Sequence, residues 1–268
     1  MTEARRIPRV LAIAGSDSGG GAGIQADLKA FAASGVHGMT AITAITAQNT
    51  IEVAAIHSVP PETIIAQIRA VASDIGVDAV KIGMLGTEET IRAVGRALDE
   101  LPPGTPVVLD PVMVAESGAE LLDPGARRAL VDVLITRATV VTPNLPEARV
   151  LSGLGEDAGP EELGRAVLAL GPAAVVVTGG HAENATDTFL DDSRVVEIGG
   201  RRIPGGASHG SGCTHSSALA AGLAWGLSPL DAARRAKELA ARAVEHGLRD
   251  IGSGAGPVDA LGLAGHLP

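Results

Sequence analysis

Short apolar runs alternate with longer amphipathic segments along most of this chain. The runs are rich in Val, Ile and Ala, which is typical of strands buried on both faces of a parallel sheet. Strands are predicted at residues 10–14, 39–46, 79–82, 107–109, 139–141 and 174–177. Helical spacing is found at residues 24–34, 61–73 and 160–170, after Asp123-Pro124, after Thr214, and from Ser228 to near Gly247. The alternation predicts an α/β fold in which helices cover both faces of one mostly parallel sheet.

Two segments depart from this alternation. Residues 51–59 alternate loosely, which indicates a strand at the edge of the sheet. Residues 188–190 and 195–198 are short β patterns separated by Asp191-Asp192-Ser193, and they predict a small antiparallel hairpin. No internal repeat or interdomain linker interrupts the pattern, so residues 1–268 are interpreted as a single domain.

Polar and glycine-rich residues repeatedly follow the predicted strands. The carboxyl ends of parallel strands meet along one edge of a sheet, so these clusters are expected to converge on one site. The clusters are Gly15 to Asp27, Gln48-Asn49, Asp110-Pro111, Asn144 with Glu147, and the loop around Cys213. The first cluster has neither the pattern of a nicotinamide-binding loop nor the Gly-Lys-Ser/Thr of a P-loop.

The segment that begins at His209 predicts an anion site. Gly210 and Gly212 let the backbone curl at the start of a helix, where unpaired N–H groups and the helix dipole attract negative charge. Cys213, the only cysteine, stands at this junction. A thiol at a helix N-terminus is expected to ionise more readily than usual and to serve as a base or nucleophile. The structural alternative is a glycine-rich helix start with a buried, inert thiol.

Oxygen-bearing side chains at other strand ends suit a metal ion and a nucleotide. Asp110, Asn144 and Glu147 offer the hard oxygens that Mg²⁺ uses together with water and phosphate. Alternatively, Asp110 caps a turn, and Asn144 and Glu147 cap the following helix. Asp27 and Gln48 can read the donor and acceptor groups of a small heterocycle, although a solvated surface carboxylate is an equal alternative for Asp27.

Two other kinds of site find little support. His181 and His209 lie in glycine-rich loops, but no set of His, Cys and Asp has zinc spacing. Both histidines are therefore interpreted as phosphate contacts or turn residues. Ser16 and Ser18 are loop hydroxyls without a G-x-S-x-G elbow, which disfavours a hydrolase.

Composition narrows the choice of partner. The formal net charge of -10 disfavours binding to nucleic acid or to an anionic membrane. No apolar run approaches the roughly 20 residues of a membrane-spanning helix, and residues 1–9 lack a signal core. One cysteine excludes an intrachain disulfide, which fits a reducing cytosol. We therefore expect a cytoplasmic protein that acts on a small molecule.

A series of motifs, in order along nearly the whole chain, is similar to that of the bacterial hydroxymethylpyrimidine/phosphomethylpyrimidine kinases of thiamine biosynthesis. A series of this length is far more specific than a single Gly-x-Gly. The motifs are AGSD (14–17) with GGAGIQAD (20–27), TAITAQNT (43–50), KIGML (81–85), DPVM (110–113), TPNLPEA (142–148), GGH (179–181), HGSGCT (209–214) and GPV (256–258).

The resemblance implies a ribokinase-like fold, a three-layer α/β/α sandwich around a central, mostly parallel sheet. It also implies two ATP-dependent steps that use Mg²⁺. The first phosphorylates the hydroxymethyl group of 4-amino-5-hydroxymethyl-2-methylpyrimidine, and the second converts the monophosphate to the diphosphate. Relatives are often dimers, so the sequence leaves a homodimer open.

By the same resemblance, four residues would hold the pyrimidine: Gly15, Asp27, Gln48 and Met84. The anion hole for the transferred phosphoryl group would consist of Gly210, Gly212 and the amides around Cys213. Cys213 stands where sugar kinases of this fold carry a catalytic Asp, and it would accept or steer the proton of the substrate.

The resemblance also implies that a second set of residues binds the nucleotide and its metal ion: Asp110, Asn144, Glu147, Thr178 and His209. Asp110 and Glu147 would be the Mg²⁺ ligands. Relatives often carry Lys at the position of Thr178. If that Lys neutralises ATP phosphates, this protein must use another cation or bind ATP more weakly.

Two rival functions stay open at the level of sequence. Pyridoxal kinase shares the fold and sometimes the substrate range, but the motifs around Asp27 and Gln48 favour the aminopyrimidine. A protein of another class, one that binds the pyrimidine without catalysis, is disfavoured because Cys213, Asn144 and Glu147 are intact.

Overall fold

One nine-stranded sheet forms the middle of the computed structural model, which describes residues 6–180 and 185–266. The strands are β1 (Arg9–Asp17), β2 (His37–Gln48), β3 (Val53–Ser58), β4 (Ala79–Ile82), β5 (Val107–Leu109), β6 (Val140–Val141), β7 (Ala174–Val177), β8 (Asp187–Asp191) and β9 (Arg194–Ile198). Their order across the sheet is β3-β2-β1-β4-β5-β6-β7-β8-β9. β1, β2 and β4 to β7 run parallel, whereas β3, β8 and β9 are antiparallel to their neighbours.

Helices make most of the connections between strands. They are α1 (Gly23–Ala33), α2 (Pro61–Asp74), α3 (Glu88–Leu98), α4 (Arg127–Ala129), α5 (Leu145–Ser152), α6 (Pro160–Leu168), α7 (Ser211–Ala224) and α8 (Pro229–Glu245). α4 is a single turn within an irregular stretch. A 3-10 turn (Pro124–Ala126) precedes it, and a π turn (Leu130–Leu134) and a second 3-10 turn (Ile135–Arg137) follow.

The hydrophobic residues divide between the two faces of the sheet because successive side chains of a strand point in opposite directions. Leu11 and Ile13 of β1 belong to a core shared with α2 and α3. Val10 and Ala12 belong to the opposite core, which includes residues of α1, α7 and α8. The protein is thus a three-layer α/β/α sandwich, which confirms the predicted fold class.

The end of β1 is irregular where the predicted site begins. The pairing of β1 with β2 shifts register between Ala14 and Ser16: Ala14 pairs with Ile42 and Ser16 with Ile45, so the extra residue of this bulge lies on β2, opposite Gly15. Bulges bend a strand and are frequent beside active sites. β1 continues past this bulge to Asp17, three residues beyond the predicted end of the strand.

The element predictions are largely confirmed, including the six parallel strands and the hairpin of β8 and β9. The helix expected after Thr214 begins earlier, at Ser211. The helix expected after Asp123-Pro124 is broken into short turns of different pitch. In the part of the chain that the structure describes, no helix is both long and apolar enough to cross a membrane.

Candidate active site

The polar clusters that follow the strands meet beside the start of α7. Ser216 of α7 donates a hydrogen bond of 2.9 Å to Asp110, which directly follows β5. One residue further along, Ser217 donates a hydrogen bond of 2.7 Å to Asp27 of α1. The convergence that the sequence predicted at this edge of the sheet is therefore observed.

Asp17 organises the loop that follows β1. Its Oδ1 accepts from the N–H of Gly19 at 2.7 Å, and its Oδ2 accepts from Gly21 at 3.0 Å and from Ala22 at 2.8 Å. Oδ2 also lies 3.0 Å from Nε2 of His209. Burial raises the pKa of Asp17, but the hydrogen bonds from His209 and the backbone outweigh it and leave the pKa below its usual value.

His209 joins this loop to two others. Its Nε2 faces Asp17, and its Nδ1 lies 3.5 Å from Oε2 of Glu116, whose other oxygen accepts from Ser208. The hydrogen bonds to Asp17 and Glu116 raise the pKa of His209 to about 9 despite burial. The imidazole is therefore charged at neutral pH and holds two carboxylates. Its expected contact with the nucleotide stays a prediction.

Gly210 allows the loop after β1 to touch the loop before α7. Its φ is +84°, and a Cβ at this position would lie 1.8 Å from the carbonyl oxygen of Gly21. α7 starts at the next residue, and no side chain of the described residues caps its first turn. Because the first N–H groups of a helix lack acceptors within the helix, this end suits an anion, as the sequence predicts.

Cys213 lies in that first turn, and its side chain is only partly exposed. The N–H of Gly23 donates to its sulfur, and Lys81, Asp27 and Asp110 act on it electrostatically. Burial raises the pKa of Cys213 to about 12, and the two carboxylates add to this rise. The expectation of an easily ionised thiol is therefore wrong for the protein alone. The loss of hydration and the nearby carboxylates raise the pKa of Cys213 more than the Lys81 cation and the helix N-terminus lower it.

Asp27 is fully buried rather than solvated. Its Oδ1 is 2.8 Å from Nζ of Lys81 and accepts from Ser217, and neither Asp27 nor Lys81 exposes any of its side chain. Its Oδ2 is also buried, and among the described residues it has no hydrogen-bond partner. Asp27 can therefore contact a substrate only through this second oxygen, and the surface alternative for it is wrong.

Asn144 and Glu147 form a capping box at the start of α5. The side chain of Asn144 accepts from the N–H of Glu147, and that of Glu147 accepts from the N–H of Asn144, each at 2.9 Å. The structural alternative for this pair is thus confirmed. The capping role does not exclude binding of a metal ion by Glu147, because a capping carboxylate has a second oxygen.

Asp110 and Glu147 are buried carboxylates that act on each other. Burial, together with the negative charge of Asp110, raises the pKa of Glu147 to about 8. Burial also raises the pKa of Asp110, in spite of Lys81 and Ser216. A divalent cation between two such groups would relieve the repulsion. Residues 6–180 and 185–266 contain no group of three or more metal-ligating side chains. Mg²⁺ suits this donor set, since it uses one or two carboxylates with water and phosphate oxygens.

The residues expected to surround the substrate lie on two sides of the loop after β1. Gly15 and Met84 are in contact, since a Cβ at Gly15 would lie 3.0 Å from the sulfur of Met84. Gln48 lies at the end of β2, where its N–H donates to Oγ of Ser18 at 2.8 Å and Thr46 donates to its side chain. Their contacts with a substrate stay predictions.

Thr178 lies beside the capping box. It pairs with Asn144 in a single parallel bridge just after β6 and β7. This is the edge of the sheet where a nucleotide is expected, but the structure places no cation in the position of the Lys that relatives often carry. His181 lies outside the described residues.

Four residues of the site have no individual role that the sequence predicts: Asp17, Lys81, Glu116 and Ser217. Lys81 had a signal, because a lysine in the middle of an apolar strand must find a buried partner. Glu116 and Ser217 had none, since a partner such as Asp27 lies 190 residues from Ser217 along the chain.

These features together are suited to phosphoryl transfer, which needs positioning and neutralisation of charge more than covalent chemistry. An open helix N-terminus can receive phosphate, two carboxylates can share a cation, and a buried carboxylate oxygen can receive a donor from a small ring. The fold and the site define the protein as a kinase of ribokinase-like architecture.

Sequence comparison identifies the family. A sequence model of the phosphomethylpyrimidine kinases matches residues 17–259. A hydroxymethylpyrimidine/phosphomethylpyrimidine kinase from Rhizobium meliloti (strain 1021) is 48% identical over 254 residues, which are 92% of this chain and 95% of that protein. The chain belongs to the phosphomethylpyrimidine kinase family.

Solved structures agree with the architecture. A pyridoxal kinase from Staphylococcus aureus in complex with ADP superposes with a TM-score of 0.88 at 36% identity, over 98% of this chain and 96% of that one. A phosphomethylpyrimidine kinase from Clostridium difficile 630 gives a TM-score of 0.75 at 39% identity, over 87% of this chain and 97% of that one.

Proposed function

We propose that this protein, with residues 1–268 as one domain, phosphorylates 4-amino-5-hydroxymethyl-2-methylpyrimidine and then its monophosphate, with ATP and Mg²⁺, for thiamine biosynthesis. The observation that carries the proposal is the buried Oδ2 of Asp27 near Cys213, which has no hydrogen-bond partner among the described residues. A buried acceptor without a partner calls for a donor from the ligand, and an aminopyrimidine offers an N–H at its edge.

The residues of the chain have distinct parts in this reaction. The amides of the first turn of α7 would face the phosphoryl group, where negative charge develops. Asp110 and Glu147 would hold Mg²⁺, which supplies positive charge to the phosphates when it is bound. Asp27 and Gln48 would orient the ring.

Cys213 would be the group nearest to the proton of the hydroxymethyl group. With a pKa of about 12 it holds its own proton at neutral pH in the protein alone. The first role of Cys213 is therefore to orient the hydroxyl group of the substrate by hydrogen bonding. It can accept the proton only as a thiolate, after positive charge entering the site has lowered its pKa and its own proton has passed to solvent.

The proposal is tested by incubating the protein with MgATP and the pyrimidine alcohol and identifying the products by mass spectrometry. Formation of both the monophosphate and the diphosphate is expected. Tight binding of the pyrimidine without release of ADP would instead indicate the non-catalytic alternative.

Pyridoxal phosphorylation is the second candidate, because a pyridoxal kinase superposes on 98% of this chain. Turnover of pyridoxal and of the pyrimidine alcohol should be measured side by side, at equal enzyme concentration. We expect the larger kcat/KM for the pyrimidine. A larger value for pyridoxal would reverse the assignment.

We also infer a homodimer formed at the edge of β3. This outer strand and the adjacent β2 expose Ile45 and Ile56, and Ile51 is exposed in the turn between them. An exposed apolar edge strand favours pairing with another chain. Light scattering should give twice the chain mass of 26.8 kDa, and Ile56→Lys should reduce it. A cytoplasmic location, which the single cysteine and ATP chemistry support, is tested by cell fractionation.

A further inference from the structure

Lys81 is a fully buried cation on a strand adjacent to the middle strand of the sheet. It lies on β4, between β1 and β5, and its side chain has no exposed surface. Of the ion pairs in the described part of the chain, Lys81 with Asp27 is the one in which both side chains are completely buried. Removing two charges from water is unfavourable, so such a pair is weak evidence for a role in stability alone.

The pair uses the two oxygens of Asp27 unequally. Lys81 and Ser217 both donate to Oδ1, at 2.8 Å and 2.7 Å, whereas Oδ2 is buried and has no partner among the described residues. A carboxylate held by two donors on one oxygen cannot rotate freely. The unused oxygen is therefore kept in one direction.

The ammonium group also faces the other acidic groups of the site. It acts on Cys213 from α7 and on Asp110 after β5, as well as on Asp27 from α1. Gly83 leaves room for it, because a Cβ at that position would lie 2.8 Å from Nζ. Lys81 thus supplies positive charge to three groups from three different elements.

We propose that Lys81 is a positioning residue of this kinase: together with Ser217 it holds Asp27 with Oδ2 turned toward an N–H donor of the substrate ring, and it supplies the buried positive charge that Cys213 faces. The part concerning the ring rests on the proposed function. The part concerning Cys213 does not, because it concerns the protein alone.

The electrostatic part is tested through the reactivity of the only thiol in the chain. Alkylation of folded protein by iodoacetamide, followed by mass spectrometry at several pH values, reports the thiolate of Cys213 directly. Removal of a neighbouring opposite charge shifts a pKa by about one unit or more. Lys81→Met should therefore slow alkylation about tenfold at one pH, whereas Asp27→Asn should accelerate it.

Ser217→Ala is the matched control, because it removes a donor from Asp27 without changing any charge. Its alkylation rate should equal that of the wild type, while its KM for the pyrimidine should rise a few-fold, in line with the loss of one hydrogen bond. Lys81→Met should raise KM and lower kcat, since it affects both the ring and the thiol.

Lys81→Met alone leaves a buried carboxylate without its cation, so the double variant Lys81→Met/Asp27→Asn is included. It contains no buried charge at either position and should fold, with an alkylation rate within about threefold of the wild type because opposite effects cancel. Equal alkylation of wild type, Asp27→Asn and the double variant would overturn the electrostatic part. An unchanged KM in Ser217→Ala and in the double variant would overturn the positioning of Asp27. Since alkylation needs no substrate, loss of the proposed function would leave the first result intact.

Discussion

The ion pair between His209 and Asp17 predicts a particular dependence of stability on pH. The pKa of His209 is raised from 6.5 to about 9 in the folded protein, chiefly by hydrogen bonds to Asp17 and Glu116. The folded state therefore keeps a proton that the unfolded chain has lost. The resulting stabilisation is fully present below about pH 6.5 and is lost as the pH rises through about 9.

The magnitude follows from the size of the shift. At 1.36 kcal/mol for each pKa unit, a rise from 6.5 to about 9 corresponds to about 3 kcal/mol in the free energy of unfolding. His209 is buried, so solvent screens the pair little. Other groups also titrate in this range, so the quantity to measure is the difference in stability between the wild type and His209→Gln.

Urea unfolding of both proteins should be followed by circular dichroism from about pH 6 to about pH 9. The stability advantage of the wild type should shrink by about 3 kcal/mol over that range. His57→Gln, a change at an exposed histidine of β3, serves as the control for the loss of an imidazole elsewhere in the protein. If the advantage of the wild type over His209→Gln is the same at both ends of the range, the imidazole is not held charged by Asp17 and Glu116.

Three further outcomes are expected. Glu147→Gln keeps the capping box, since an amide oxygen still accepts from Asn144, but it removes an acid whose pKa is about 8. Its stability should lack the fall that the wild type shows as the pH rises from 4.5 to about 8, and MgADP should raise its Tm less. Cys213→Ala should lower kcat about 100-fold or more with little change in KM, and near-normal turnover would contradict a role in proton transfer. Gly210→Ala should destabilise the protein by about 3 kcal/mol, because a left-handed backbone and a clash with the carbonyl of Gly21 add together. Gly104→Ala, at a φ of +82° with open space around it, should cost only about 1 kcal/mol, and equal changes in Tm would refute the clash.

Local pattern made most of the fold predictable. A run such as Ala79–Ile82 is apolar because both faces of a parallel strand are covered, and this holds wherever the strand lies in the sheet. The capping box was readable in the same way, since Asn144 and Glu147 are three residues apart and bond to each other. The edge of the sheet that carries the site could also be predicted from the sequence, because polar residues follow several of the predicted strands.

Local pattern was less informative where helices are irregular or begin in glycine-rich turns. The stretch after Asp123 contains ordinary helix-forming residues, yet it changes pitch where it packs against the sheet and α3. α7 begins at Ser211 rather than Thr214, directly after Gly210, which takes the left-handed conformation at the N-cap. Boundaries of this kind depend on neighbours that the local sequence does not specify.

The sequence by itself determined the order of strands and helices, the glycine-rich turn before α7, and the presence of a lone thiol at that turn. Only the tertiary structure decided how these groups are charged. Asp17 meets His209 across 192 residues and Lys81 meets Asp27 across 54, so no spacing rule could have paired them. The thiol of Cys213 keeps its proton for the same reason. A pKa depends on lost hydration and on charges through space, and both exist only once distant parts of the chain are packed together.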